Sequence, residues 1–195
     1  MNNNAYIIKL GDAVNVSAGY PLRSSARDLP EGDTRFLQLR HVEPGKPIDW
    51  EEVRKVSLPS KRSLRFLDEG DVIFASRGTK NFAYPIGAIN FYAVAAPEFY
   101  VLSLRDHRTI LPTFLAWQIN ESPAQRYIEA RSEGAAMKNV KRKTLESLKL
   151  NVPPLKTQQA IVDLYETSLA EERALLSLIK NRQKMLRGLA TGLAS

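Results

Sequence analysis

The sequence predicts an α+β protein: a mixed α/β domain over residues 1–152, then one long helix over residues 153–195. Three observations carry this. Short apolar, aromatic-rich runs alternate with Gly, Pro and Asp turn residues up to about residue 110. Helical spacing replaces them between residues 113 and 130. Pro153-Pro154 then closes the domain, because proline cannot continue a helix interior and forces the preceding residue into an extended conformation.

In order, Tyr6–Leu10 is an opening strand, and Ala18-Gly19-Tyr20-Pro21 is a turn. Arg35–Arg40 alternates polar and apolar residues, as a half-buried strand does, and Glu43–Pro47 is a loop. Asp71–Ala75 reads as a buried strand entered from a Gly70-Asp71 turn. Gly87–Ala95 and Phe99–Leu104 are two further strand candidates. Thr113–Ile119 is helical; Ser122 caps a second helix with Pro123 at its first position, and Ala124–Ala130 follow.

Beyond Pro154 the residues are mostly Leu, Ala, Glu, Lys, Arg and Gln, all good helix formers, and glycine returns only at Gly188 and Gly192. Steps of three and four from Val162 give Tyr165, Leu169, Glu172, Leu176, Ile179, Gln183, Leu186, Ala190 and Leu193, a heptad seam with two polar interruptions. A neighbouring seam reads Ile161, Leu164, Ser168, Glu171, Leu175, Leu178, Arg182, Met185 and Leu189. A helix from about Lys156 to about Leu193 is roughly 50 Å long, against a radius of gyration near ~15 Å for the domain before it. So long an apolar stripe needs a partner, and Val162, Tyr165, Leu169, Leu176, Ile179, Leu186 and Leu193 are the expected dimer contacts.

The totals narrow the function. No apolar run approaches the ~20 residues of a membrane span. Met1-Asn2-Asn3-Asn4 lacks the basic and apolar regions of a signal peptide, and there is no cysteine; a cytoplasmic protein is expected. The net charge of +7 favours polyanionic partners. His41 and His107 sit in no zinc pattern, and no phosphate loop, dinucleotide fingerprint or nucleophile elbow occurs. Neither catalysis nor a metal or cofactor is expected of this chain.

What remains are polar loops suited to nucleic acid. Ser76, Arg77, Thr79, Lys80 and Asn81 surround Gly78 directly after a buried strand. Arginine and asparagine can pair with base edges, while lysine and hydroxyls hold phosphate. Lys138, Lys141, Arg142 and Lys143 form a second, denser cluster. Lys61 and Arg62 form a third; Gln38 and Arg40 lie on a predicted strand, and Tyr20 and Arg23 flank the early turn.

These residues make a family likeness visible. The chain resembles one half of the specificity subunit of type I restriction–modification systems. The most telling stretch runs from Gly134 through a basic segment, Leu145 and Leu148, to Leu150-Asn151-Val152-Pro153-Pro154-Leu155, Gln158-Gln159 and Ile161. Lys9–Val14, Ala18–Pro21, Asp71–Gly78 and Phe114–Tyr127 add to it. The resemblance implies that residues 1–152 are a target recognition domain contacting double-stranded DNA and that the helix is a spacer. It also implies that chemistry belongs to partners: a modification subunit carrying the methyl donor, and a restriction subunit. The family's full-length subunit has two recognition domains and two helices. With one of each, this chain is either a half-subunit that dimerises and reads an inverted repeat, or a fragment. The alternative is a protein-interaction adaptor, or a decoy specificity subunit that occupies modification subunits without productive DNA recognition.

Overall fold

The structure, a computed structural model, describes residues 5–22, 32–58, 64–134 and 137–193. The chain divides into two compact units, Met1–Gln159 and Ala160–Ser195.

In the first unit, β1 (Tyr6–Lys9), α1 (Leu10–Ala13) and β2 (Val14–Ala18) follow one another, then β3 (Thr34–Leu37), a 3-10 turn (Leu39–His41) and β4 (Lys55–Val56). Next come β5 (Val72–Ala75), β6 (Arg77–Gly78), β7 (Ala83–Pro85), β8 (Tyr92–Ala95) and β9 (Phe99–Leu104). Helices α2 (Pro112–Asn120) and α3 (Ser122–Glu129) precede β10 (Lys138–Asn139), α4 (Arg142–Glu146) and β11 (Lys149–Val152).

One sheet has the order β2-β9-β5-β7 and is antiparallel throughout; a second is β4-β3-β8, with β3 parallel to β8. Two ribbons, β1-β11 and β6-β10, complete the pairing. The sheets share a core: Phe36, Leu37, Val94 and Ala95 cluster with Ile73, Ala75, Phe99 and Val101. Successive strand residues point to opposite faces. Ile73 and Ala75 thus face that core, and Val72 and Phe74 face the other way, where α2 lies against β5 and β7. This is why Val72–Ala75 is apolar without alternation.

Side chains fasten the edges. Asn120 at the end of α2 accepts from Ala83 N–H (2.7 Å) and donates to Ala83 C=O (2.8 Å), so it pairs with β7 as another strand would. Buried Asp71 receives Arg65 Nη2 at 2.5 and 2.6 Å, Ser103 Oγ at 2.9 Å and Asp68 N–H at 2.8 Å.

Several expectations need correction. The strand read over Arg35–Arg40 ends at Leu37; Gln38 N–H donates to His41 Nδ1 (3.1 Å), and the chain turns. Its polar position does not face water. Arg35 is buried because Glu51 (2.8 Å) and Trp50 C=O satisfy its guanidinium, which also stacks over Phe91. The strand expected over Gly87–Ala95 forms only from Tyr92, where pairing with β3 begins. Glu121, not Ser122, caps α3, with Ser122 and Pro123 inside its first turn.

The second unit is helical. It belongs to α5, Leu155–Leu193, which is 39 residues long and starts directly after Pro153-Pro154. Leu175, Leu176, Leu178, Ile179, Met185, Leu186 and Leu189 are all exposed, so both seams are bare along this stretch. Tyr165 and Leu169 are half-buried, and Val162 is 3% exposed, so the part of the seam that a second chain can reach lies beyond it.

A candidate nucleic-acid interface

Where β5 ends at Ala75, the turn before β9 catches the chain. Ser76 N–H (2.8 Å) and Ser76 Oγ (2.9 Å) both donate to Glu98 C=O, and Arg77 N–H lies 3.3 Å from the same oxygen. Asn81 closes the loop, donating through Nδ2 to Ala75 C=O at 2.8 Å. Ser76 and Asn81 are therefore buried and serve the loop itself, while Arg77, Thr79 and Lys80 are exposed. Ser76 and Asn81, named from the sequence as contact candidates, are thus engaged within the loop.

The other patches meet this loop. Val140 N–H donates to Ser76 C=O (2.8 Å), and β10 pairs with β6 so that Asn139 lies opposite Arg77 and Lys138 opposite Gly78. Glu133 and Asn139 exchange two backbone hydrogen bonds, and Gly134, next to Glu133, has φ 91. Gly78 has φ 145, and a Cβ there would come within 2.9 Å of Leu39 Cδ2. A side chain larger than hydrogen would thus crowd the Leu39 side chain, in the turn that carries Arg40 and His41, and would sit at a positive φ that favours glycine. Ala96 N–H donates to Leu37 C=O, and Tyr20 N–H donates to Ala95 C=O, which brings Tyr20 and Gln38 to the same end of the sheets. The backbone segments that carry Tyr20, Gln38, Arg40, Arg77, Thr79, Lys80 and Lys138 thus meet at this end although they come from four parts of the chain, and Lys141 directly follows Val140. Arg142 and Lys143 open α4, which packs on α1. Arg23, Lys61 and Arg62 lie outside the described residues, as does the side chain of Leu193.

The charges are not equivalent. Lys138 pairs with Glu129, Lys141 with Glu133 (2.6 Å) and Arg142 with Glu146 (2.7 Å). The hydrogen bond from Lys138 and its positive charge hold the Glu129 carboxyl below its ordinary range. Arg77 and Lys80 have no acid partner among the described residues. The hollow between Lys80, Asn81, Gln125, Glu129 and Lys138 is about 150 Å³, below the ~300 Å³ at which small-molecule sites begin. Burial, then Arg40 and Arg54, lower the His41 pKa from its usual value. Arg40 Nε also lies 3.2 Å from His41 Nε2. A neutral imidazole has one bare nitrogen; Nδ1, which takes Gln38 N–H, is the better-placed acceptor.

Glu98 lies at this end without being a candidate from the sequence, whereas Asn139 belongs to the second polar loop. Nothing in the local sequence distinguishes Glu98, an isolated acid after Pro97.

Residues 4–181 match the model of the type I restriction modification DNA specificity domain, and the chain belongs to that family. Similar solved structures include the type I restriction-modification S subunit from M. genitalium, with 17% identity, TM-score 0.59, and coverage of 94% of this chain and 44% of that one. The HsdS subunit from Thermoanaerobacter tengcongensis has 18% identity and TM-score 0.61, covering 90% and 40%. A chain from a study of complex assembly and conformational transition of the type I R-M system has 16% identity and TM-score 0.67, covering 95% and 44%. At these identities the likeness is one of fold, and the chain spans less than half the length of each relative. No curated protein sequence matches the chain. Among the described residues, no helix is long and apolar enough to cross a membrane and no acid or histidine cluster could hold a metal.

Proposed function

We propose that this chain is the non-catalytic DNA-specificity subunit of a type I restriction–modification complex. It reads one half of a split site, docks a modification subunit, and pairs with a second copy through α5. The observation that carries this reading is that the backbone segments bearing Arg40, Arg77, Lys80 and Lys138 meet at one end of the sheets. Cations held on rigid strands and turns can bind phosphate and position Arg77 at a base edge. The chain needs no cofactor for this; the methyl donor belongs to the modification subunit, and a restriction subunit is a further partner. The cytoplasm is the expected compartment.

The bare double seam of α5 supports the pairing. From Ala160 to Leu193 the helix is about 50 Å long. Two copies related by a two-fold axis would bind half-sites separated by about one and a half turns of B-DNA, taking ~34 Å per turn. Selection of bound duplexes from a randomised pool tests this. An inverted repeat with an unspecified middle is expected; a single unsplit motif contradicts the dimeric arrangement.

One observation favours a second reading. Lys138, Lys141 and Arg142 already hold acid partners, as they would in an adaptor or decoy whose basic loops are merely solvated. That reading expects modification-subunit binding with no selection of duplexes.

A further inference from the structure

Glu98 joins a fixed backbone to an unsatisfied side chain. Its carbonyl receives Ser76 N–H, Ser76 Oγ and Arg77 N–H, which ties it to the strand that carries Arg77. Its carboxylate oxygen Oε2 is enclosed yet receives no hydrogen bond, and the carboxylate makes no ion pair among the described residues. An enclosed acceptor without a donor is costly, and more so when charged. Such groups are rare enough in folded proteins that each asks for a reason.

The chemistry of the surroundings supplies one. Arg40, Arg77, Lys80 and Lys138 can only donate. Donors serve phosphates, guanine N7 and O6, and thymine O4, but the exocyclic amino groups of adenine and cytosine need an acceptor. Glu129 and Glu133 are acceptors already occupied by Lys138 and Lys141. Glu98 has no such partner. It is only partly buried as a residue, and because it holds no partner, swinging its side chain outward breaks no bond. A carboxylate also repels phosphate, so it selects against DNA that offers backbone alone.

We infer that Glu98 is a specificity-determining residue whose carboxylate takes a hydrogen bond from the exocyclic amino group of a base, cytosine N4 or adenine N6, beside Arg77. This rests on the DNA-reading function proposed above.

The test uses the full chain and the duplex it selects from a randomised pool. At each position of the half-site, adenine is replaced by purine or cytosine by 2-pyrimidinone, which deletes the amino group alone. The wild-type chain should lose about tenfold in affinity at one position, and which base analogue does so assigns adenine or cytosine. Glu98→Ala should lose nothing further at that position while keeping the wild-type penalties elsewhere. Glu98→Gln should bind unrelated duplexes more tightly than wild type. Both variants should melt no lower than wild type, since no hydrogen bond is removed. If Glu98→Ala keeps every wild-type penalty, or if wild type tolerates every amino deletion, the assignment of Glu98 is overturned and the DNA-reading function stands. If the wild-type chain selects no duplex even with its modification subunit present, both fall together.

Discussion

The side-chain carbonyl of Gln158, in the first turn of α5, accepts a hydrogen bond from Leu111 N–H, the capping residue of α2, at 2.9 Å. The same side chain donates through Nε2 to Thr109 C=O and Pro153 C=O, both at 2.8 Å, and is fully buried. One glutamine thus satisfies three backbone groups from two distant segments and anchors the first turn of α5 within the first unit. Gln158→Leu would leave those groups unpaired, and a loss of about 3 kcal/mol is expected. Urea denaturation followed by circular dichroism measures it; an unchanged midpoint would remove Gln158 as the anchor.

Arg77 and Asn81 separate binding from folding within one loop. Arg77 is exposed without an acid partner, whereas Asn81 is buried on Ala75 C=O. Arg77→Ala should weaken DNA binding and leave the melting temperature unchanged. Asn81→Ala should lower stability by about 1–2 kcal/mol. Paired melting and DNA-binding curves check both, and equal effects on both curves would contradict the assignment.

This contrast also marks how far the sequence is legible. The buried strands β5 and β9, the loop residues and the long helix can be read locally, from apolar runs, glycine and proline punctuation, and the heptad seams. The direction each loop side chain takes cannot. Ser76 and Asn81 look as available as Arg77 in the sequence, and they turn inward only because Glu98 and Ala75 offer carbonyls there. Arg35 reads as an outward polar residue because its partners, Glu51, Trp50 and Phe91, come from distant segments. The short strands β6 and β10 are invisible locally; each is two residues long and exists by pairing with the other.

Glu129 pairs with Lys138, so a phosphate reaching Lys138 would have to displace it. Glu129→Gln removes the competitor, so Lys138 can neutralise one more phosphate. DNA affinity should rise, and the slope of log K against log salt should steepen by about one. A slope equal to that of wild type would mean that Lys138 does not reach the backbone.

His41 gives the turn after β3 a pH dependence. Its pKa in the folded chain lies below the ordinary 6.5, through burial first and then Arg40 and Arg54. The unfolded chain therefore takes up this proton more readily than the folded one. The His41 contribution to stability is complete above pH 6.5 and is lost as pH falls through the folded value. An NMR titration should place the His41 pKa below that of His41 in the urea-unfolded chain. In melts at about pH 8 and about pH 5.5, His41→Asn should lose less stability on acidification than wild type.

The two seams of α5 predict separable partners. Replacing Leu176 and Ile179 by glutamate should halve the mass seen by light scattering, because a charge in a helix–helix seam leaves an unpaired buried group. Replacing Leu175 and Leu178 should leave that mass unchanged and weaken capture of the modification subunit. If both pairs act alike, the helix presents a single face.

The most direct measurement of the central claim is an equilibrium DNA-binding titration of the full chain, alone and with its modification subunit, across a series of salt concentrations. A protein that holds phosphates with Arg40, Arg77, Lys80 and Lys138 releases one counterion for each, and log K should fall with log salt at about −0.9 per phosphate. The slope should become shallower by about one in Arg77→Ala or Lys80→Ala if either contacts phosphate. Binding that ignores salt, or no binding even with the modification subunit present, would contradict the account.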